Sequence, residues 1–93
     1  MKLIINEFGT YLSKKENRFV VKNKDKIEEY SADQVDQILI SSPSSISEGV
    51  VRLATDNNID IVFTSFYGKP FARIYPCTLG GTTLTLSYSE QRD

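Results

Sequence analysis

The clearest pattern of hydrophobic and polar positions lies in the middle of the chain, over residues 35–63. It begins with an apolar run at 38–40, which predicts a short strand. The strand should stop at Pro43, because proline lacks a backbone N–H and favours an extended residue before it. Apolar residues then recur at helical spacing up to Asn57-Asn58, a pair that can supply the left-handed residue ending a helix. A β-branched run at 59–63 predicts a second strand, so the stretch predicts one strand-helix-strand crossover unit.

The helix of this unit has two candidate N-termini. Ser45 and Glu48 have the spacing of a capping box. Ser47 has the position of an N-cap, with Ile46 and Val51 spaced as a hydrophobic staple. Either start leaves one narrow stripe to face the core, made of Val50, Leu53, Ala54 and Asn57.

Short apolar runs separated by turns fill the first third of the chain. The predicted strands are 3–5, 10–13, 18–22 and 26–30, with turns at 8–9, 14–17 and 23–25. Strands of this length with turns between them predict an antiparallel β-meander. Residues 31–34 predict a brief turn of helix before the central unit.

A further strand follows the loop around Gly68. Phe71, Arg73 and Tyr75 share one of its faces, and Ala72 and Ile74 share the other. We expect the two small aliphatic residues to face the core, which leaves the aromatic and arginine face exposed. The fold class predicted by all these runs is α+β, mostly β: an antiparallel meander followed by the crossover unit.

The last residues follow a different pattern. Leu84, Leu86 and Tyr88 alternate with Thr and Ser, so 82–88 is a candidate edge strand. We therefore divide the chain into a compact domain, 1–81, and a divergent tail, 82–93.

Composition narrows the function classes. No run of 18 apolar residues is present, so we expect no membrane span. The single cysteine, Cys77, excludes an internal disulfide and fits a cytoplasmic protein. Residues 1–26 carry a net charge of +4 and residues 27–60 a net charge of −6. That asymmetry fits a nucleic-acid face beside a partner face, or ordinary surface charge on strands.

Candidate catalytic groups are few. The chain has no histidine, the usual general base near neutral pH, and so nothing to activate Cys77 as a nucleophile. Glu48 and Asp56 are separated by eight residues, so on a helix they do not converge on one cation, and Asp60 begins a strand. We expect no metal site and no cofactor in this chain.

Two arginines have the features of phosphate ligands. Arg52 lies off the apolar stripe of the helix, and Arg73 lies between two aromatic residues on an exposed strand face. A surface arginine whose stem covers apolar neighbours would show the same pattern.

Six segments, in order and spacing, carry a resemblance to a known family. They are NEFGTYL at 6–12, RFVVKN at 18–23, ISSPSSIS at 40–47, VRLA at 51–54, NIDIVF at 58–63 and YGKPFARIYP at 67–76. Together they resemble the N-terminal β-domain of the CRISPR-associated integrase, the adaptation endonuclease that inserts new spacers into CRISPR arrays. The resemblance covers residues 2 to about 81.

The resemblance implies two small packed sheets with one short helix, and a domain that forms a homodimer. It places the family's activity in a helical C-terminal domain, where Glu, His and an acidic residue hold a divalent metal, Mn or Mg. In DNA complexes of the family, the aromatic at the position of Phe8 caps the duplex end. Arginines at the positions of Arg52 and Arg73 contact backbone phosphates.

From this resemblance we expect a non-catalytic dimerisation and DNA-positioning domain of a spacer-acquisition integrase, truncated before the catalytic domain. Its partners would be a second copy of the chain, a full-length integrase and, secondarily, DNA. Two alternatives stay open: a stand-alone nucleic-acid-binding module that uses the basic first third of the chain, and an inactive relic of the integrase. A metal-dependent nuclease in its own right is the least favoured reading.

Overall fold

The computed structural model describes residues 1–76, in which two four-stranded sheets pack around one short helix. The strands are β1 (Lys2–Ile5), β2 (Thr10–Lys15), β3 (Arg18–Asn23), β4 (Lys26–Ser31), β5 (Gln37–Ile40), β6 (Ser44–Ile46), β7 (Asp60–Thr64) and β8 (Pro70–Ile74). The helix α1 spans Glu48–Asp56, and a 3₁₀ turn spans Ala32–Gln34. The predicted fold class, mostly β with two small sheets, is confirmed.

The first sheet, which we call the mixed sheet, has the strand order β1-β5-β7-β8. Its first three strands are parallel and β8 is antiparallel to β7. The second, the meander sheet, has the order β4-β3-β2-β6. Both sheets place alternate residues in one shared core, as the period of two in a strand requires.

The predicted meander is only partly correct. β2, β3 and β4 form antiparallel pairs, and the turns between them place Glu16 and Lys24 at positive φ. β1, however, pairs in parallel with β5 in the mixed sheet, with Leu3 opposite Ile38. The alternation in β1 shows which of its residues are buried, but it does not determine which strand pairs with β1. That strand is β5, which lies 35 positions later in the sequence.

The crossover unit is confirmed, since β5 and β7 are parallel neighbours joined through α1. The sequence prediction missed β6, which pairs in parallel with β2 before the helix begins. Ser45 therefore lies in a strand, and the capping box that starts with it is wrong. Ser47 is the N-cap residue, although its side chain makes no capping hydrogen bond, and Asn58 has the expected positive φ of 57°.

The core lies between the sheets and beneath α1. Its buried side chains come from the mixed sheet, the meander sheet, the predicted stripe of α1 and the connections: Leu3, Ile5, Ile38, Ile40, Ile61, Leu12, Phe19, Val50, Leu53, Ala54, Ala32, Val35 and Ile59. On β8 only Ile74 packs against this core. Ala72 is exposed, contrary to prediction, because β8 is an edge strand of the mixed sheet within residues 1–76.

Two earlier predictions fall on other parts of the chain. The candidate strand at 82–88 and the tail as a whole lie outside the described residues.

None of the helices within residues 1–76 has the length and apolar character needed to cross a membrane.

Candidate nucleic-acid interface

The three residues proposed to contact DNA lie on three different parts of the fold. Phe8 lies in the connection from the mixed sheet to the meander sheet, Arg52 lies on α1, and Arg73 lies on the outermost strand β8. Phe8 as a whole residue is 78% exposed, and the side chains of Arg52 and Arg73 are 75% and 57% exposed. Within residues 1–76, no hydrogen bond or ion pair joins one of them to another, so each is positioned by its own neighbours.

Phe8 is an exposed ring on an anchored loop. The side-chain amide of Asn23 donates to the Phe8 carbonyl at 3.2 Å and to the Thr10 hydroxyl at 2.8 Å. The Thr10 hydroxyl in turn donates to the Glu7 carbonyl at 2.8 Å. The N–H of Gly9, at a φ of 79°, donates to the Pro43 carbonyl at 2.9 Å. The backbone is thus held from both sides while most of the ring is exposed, which is how a stacking platform is built.

A shallow cavity of about 550 Å³ lies beside the Phe8 ring. Its walls include two cations, Lys24 and Lys26, and two carboxylates, Glu7 and Asp25. The balanced charge gives this cavity no electrostatic preference for an anion, so its contribution to binding would come from the aromatic ring.

Arg52 is paired along the helix. Its Nε donates to the carboxylate of Glu48, one turn earlier, at the (i, i+4) spacing that brings two side chains together. The hydrogen bond to Glu48, followed by the charge of that carboxylate, raises the pKa of the Arg52 guanidinium. Both side chains are exposed, so the ion pair is screened by water and can exchange partners.

Arg73 is held more firmly than Arg52. Its Nε and Nη2 donate to Oδ2 of Asp60 at 3.1 and 2.5 Å, and the Asp60 side chain is only 21% exposed. The guanidinium carbon lies 5.3 Å from the centre of the Tyr75 ring, a cation–π contact. The other predicted neighbour, Phe71, instead packs against Phe63 with ring centres 6.4 Å apart.

The two acidic partners were not identified from the sequence. Glu48 could have been, since Glu followed by Arg four residues later is a readable helical pair. Asp60 could not have been identified, because the contact depends on how β7 and β8 pair. Val62 is directly opposite Arg73, and Asp60, two residues before Val62 on β7, is the diagonal neighbour of Arg73.

A second cationic surface lies on the outer face of the meander sheet. Lys15 is directly opposite Arg18, and Tyr11 is directly opposite Lys22. All four side chains are exposed. Arg18 donates to Glu29 on the neighbouring strand at 3.2 Å. This arrangement of three cations, one tyrosine and one carboxylate carries a net positive charge on an open sheet face.

Acidic side chains do not assemble in the part of the chain that the structure describes. No three His, Cys, Asp or Glu residues within positions 1–76 lie close enough to hold one metal ion. Two of the acids considered from the sequence, Glu48 and Asp60, instead accept hydrogen bonds from arginines.

The sequence matches the family model described as CRISPR associated protein Cas1 over residues 3–91. It is 35% identical over 83 residues to a CRISPR-associated endonuclease Cas1 of Saccharolobus solfataricus, covering 89% of this chain and 27% of that protein. It is 32% identical over 99 residues to one from Archaeoglobus fulgidus, covering 99% of this chain and 28% of that protein. The chain thus spans about a quarter of the length of these relatives.

The fold is also shared with solved structures of this group. The protein in the TtCas1–DNA complex superimposes with a TM-score of 0.73 at 10% identity, over 83% of this chain and 29% of that one. At that identity the likeness establishes the fold and nothing more. With the match over residues 3–91, it leads to one conclusion: the chain belongs to the Cas1 family, in which it corresponds to the N-terminal β-domain.

Proposed function

We propose that these 93 residues act as a non-catalytic dimerisation and DNA-positioning domain of a Cas1 integrase. Membership of the family supplies the setting of spacer acquisition, and the chain covers the portion that resembles the β-domain. The resemblance assigns the family's metal-dependent chemistry to residues that include a histidine, and this chain has none. The proposed role is therefore to hold two chains and a DNA duplex in a fixed relation.

The observation that supports DNA positioning best is the Phe8 loop. Phe8 is a large apolar residue that is 78% exposed, so most of the stabilisation that burial would give is absent. Hydrogen bonds from Asn23 and Gly9 nevertheless hold the backbone of its loop in place. A ring presented in this way stacks on a base pair at a duplex end without paying to order the loop.

The two arginines supply phosphate contacts at different cost. Arg52 can exchange the carboxylate of Glu48 for a phosphate, because both side chains are exposed. Arg73 need not release Asp60. A guanidinium has five N–H donors, and Asp60 accepts from only two of its nitrogens, so Arg73 can bridge Asp60 and a phosphate.

This assignment is tested by measuring the affinity of the chain for a labelled blunt duplex by fluorescence anisotropy, as a function of salt. Each lost phosphate contact lowers the slope of log K against log salt by about 0.9, so the Arg52→Ala/Arg73→Ala double variant should lose about 1.8. Phe8→Ala should lower the affinity about 5- to 150-fold, as expected for one base–aromatic stack. It should leave the slope unchanged, because no charge is removed.

Arg18→Ala is the matched control, since Arg18 is also exposed and also paired with a carboxylate. Under the proposal it leaves both affinity and slope near those of the wild type. Equal affinities for the wild type and the Arg52→Ala/Arg73→Ala variant would rule out these two residues as phosphate ligands.

The dimer is tested separately, by light scattering on the purified chain over a hundredfold range of concentration. We expect the mass of two chains at the upper end and dissociation on dilution. A mass of one chain throughout would exclude the dimerisation role.

A second candidate function is supported by the outer face of the meander sheet. Tyr11, Lys15, Arg18 and Lys22 share that face, and an aromatic side chain among cations is the usual surface for a nucleic-acid strand. A stand-alone module of this kind predicts that Lys15→Ala/Lys22→Ala lowers the salt slope by about 1.8, while the Arg52→Ala/Arg73→Ala variant keeps it.

A further inference from the structure

The loop between β7 and β8 presents two aromatic residues almost fully to solvent. Phe66 is 88% exposed and Tyr67 is 91% exposed, more than the 78% of Phe8. Their ring centres are 5.4 Å apart and their ring planes are inclined by 81°, so they form an edge-to-face pair. Because so little of either residue is buried, the fold itself gains little stability from them.

The backbone of this loop is held by its own hydrogen bonds. The Ser65 N–H donates to the Lys69 carbonyl at 2.8 Å, and the Gly68 N–H donates to the Ser65 carbonyl at 2.8 Å. The Lys69 N–H donates to the Ser65 hydroxyl at 3.2 Å. Gly68 has a φ of 84°, a conformation that glycine adopts without strain. The turn is therefore already ordered, and a ligand that contacts the two rings does not have to order it.

The topology of the mixed sheet places this loop at the same end as Phe8. β1, β5 and β7 are parallel, and Ile5, Ile40 and Phe63 lie side by side in one row of the register. Phe8 follows Ile5 by three residues, and Phe66 follows Phe63 by three residues. Ile5 and Phe63 are two strand spacings apart, which is roughly 10 Å. A stacked DNA strand rises about 3.4 Å per nucleotide, so the two loops begin within about three nucleotides of each other.

The charge of this hairpin indicates the class of ligand. From residue 61 to residue 76 the sequence contains two cations, Lys69 and Arg73, and no acidic residue. Asp60 compensates Arg73, whereas Lys69 is exposed and takes no part in the ion pairs found among residues 1–76. An exposed aromatic pair beside such a cation is complementary to a ligand that has both flat aromatic rings and negative charge. The unpaired nucleotides of a DNA strand have both.

We propose that Phe66 and Tyr67 form a base-stacking site for an unpaired DNA strand, with Lys69 contacting its phosphates. The proposal rests on the DNA-positioning role of the proposed function, and it adds a separate contact for a strand that leaves the duplex end capped by Phe8. Because the two ring planes are nearly perpendicular, a base that stacks on one ring meets the edge of the other. The site therefore holds one stacked nucleotide.

Fluorescence anisotropy with two labelled duplexes tests the site. One duplex is blunt, and the other has the same sequence with a short tail of unpaired thymidines. The tail should raise the affinity of the wild type about 5- to 150-fold, as expected for one base–aromatic stack. In Phe66→Ala/Tyr67→Ala this gain should disappear, while the affinity for the blunt duplex stays that of the wild type. Since both residues are exposed, the variant should keep the wild-type circular dichroism.

Further variants separate stacking from apolar contact and from charge. Tyr67→Phe keeps both aromatic rings and should keep the gain. Phe66→Leu/Tyr67→Leu keeps an apolar surface without a ring and should lose the gain. Lys69→Gln should lower the slope of log K against log salt for a single-stranded thymidine oligomer by about 0.7, whereas the ring variants leave that slope unchanged.

Ile27→Ala is the matched control for the ring variants. Ile27 is also an exposed apolar residue, but it lies on β4 in the meander sheet. This variant should keep the wild-type affinity for both duplexes. A loss of the gain in Ile27→Ala equal to that in Phe66→Ala/Tyr67→Ala would place the unpaired strand on the meander sheet and overturn the proposal.

The outcomes separate this site from the proposed function. If the wild type binds the blunt duplex but the tail adds no affinity, or if Phe66→Leu/Tyr67→Leu keeps the gain, the stacking site is overturned and the DNA-positioning role stands. If the wild type binds the thymidine oligomer through Phe66 and Tyr67 but does not bind the blunt duplex, the stacking site stands and duplex positioning is overturned. Binding of neither DNA overturns both.

Discussion

Glu48→Gln should weaken the fold and strengthen DNA binding, two effects that a merely structural defect would not combine. Glu48 is the first residue of α1, where backbone N–H groups without intrahelical partners favour a negative charge. Its carboxylate also accepts the hydrogen bond from Arg52. Glutamine keeps the size of the side chain and removes the charge, so the variant leaves the helix end less favourable and Arg52 unneutralised.

The two magnitudes are separately predictable. Loss of a carboxylate at an exposed helix N-terminus costs about 0.3–1 kcal/mol, and a domain of this size loses about 4–8 °C of Tm per kcal/mol, so Tm should fall by about 1–8 °C. If a phosphate binds Arg52 from the far side, it lies about 8 Å from Glu48, where repulsion in water is about 0.5 kcal/mol. Removing the charge of Glu48 removes this repulsion and should therefore raise the DNA affinity about twofold.

The assay is duplex binding well below Tm, at about 0.01 M salt, where the Debye length is about 30 Å. The gain should disappear near 1 M salt, where that length is about 3 Å. Glu29→Gln is the control, because it releases Arg18 by the same chemical change, away from any helix end. Unchanged or reduced affinity in Glu48→Gln would refute the assignment of Arg52 to DNA, and a gain confined to Glu29→Gln would favour the meander face.

Two further predictions concern the fold. Ile61→Val should lower the unfolding free energy, measured by urea denaturation, by about 0.5–1.5 kcal/mol, because Ile61 is fully buried. Ile27 is 60% exposed, so Ile27→Val should lower it by less than about 0.5 kcal/mol. Similar losses in both variants would contradict the location of the core. The pKa of Tyr30 is raised by burial first, and then by the hydrogen bond to Glu28 and the charge of Glu28. The folded state therefore favours the neutral phenol. The resulting stabilisation is present below pH 10 and is lost as the pH rises through the higher pKa of the folded state. Tyr30→Phe should therefore show a smaller loss of unfolding free energy above pH 10 than the wild type does, and parallel curves would contradict this origin of the shift.

The sequence determined the identity of most elements, because burial leaves a local pattern. Alternation or β-branched runs marked seven of the eight described strands, and the stripe at Val50, Leu53 and Ala54 marked the buried side of α1. Asn58 was also predictable, but for a different reason: its left-handed conformation depends on its own side chain and not on distant contacts. β6 escaped because Ser44 and Ser45 have no strand pattern and are extended only by pairing with β2.

The sequence also marked Phe8, Arg52 and Arg73 through the ordered segments shared with the family, but it did not show what holds them. Glu48 is four residues from Arg52, a distance within the reach of local reasoning, whereas Asp60 and Arg73 meet only through the register of β7 and β8. That register shifts between Phe63 and Thr64, an irregularity that no local pattern in the chain announces.

What only the tertiary structure decided is which strands are neighbours. Within residues 1–76, β1 pairs with β5 and not with β2, and β8 is an edge strand of the mixed sheet, where Ala72 is exposed although alternation predicts a core position. The physical reason is that side-chain periodicity depends on the residue's own strand, while the choice of neighbour depends on backbone hydrogen bonds and packing between segments far apart in sequence. Local chemistry settled which faces are buried, and long-range pairing settled which strands lie at the sheet edges of the described residues.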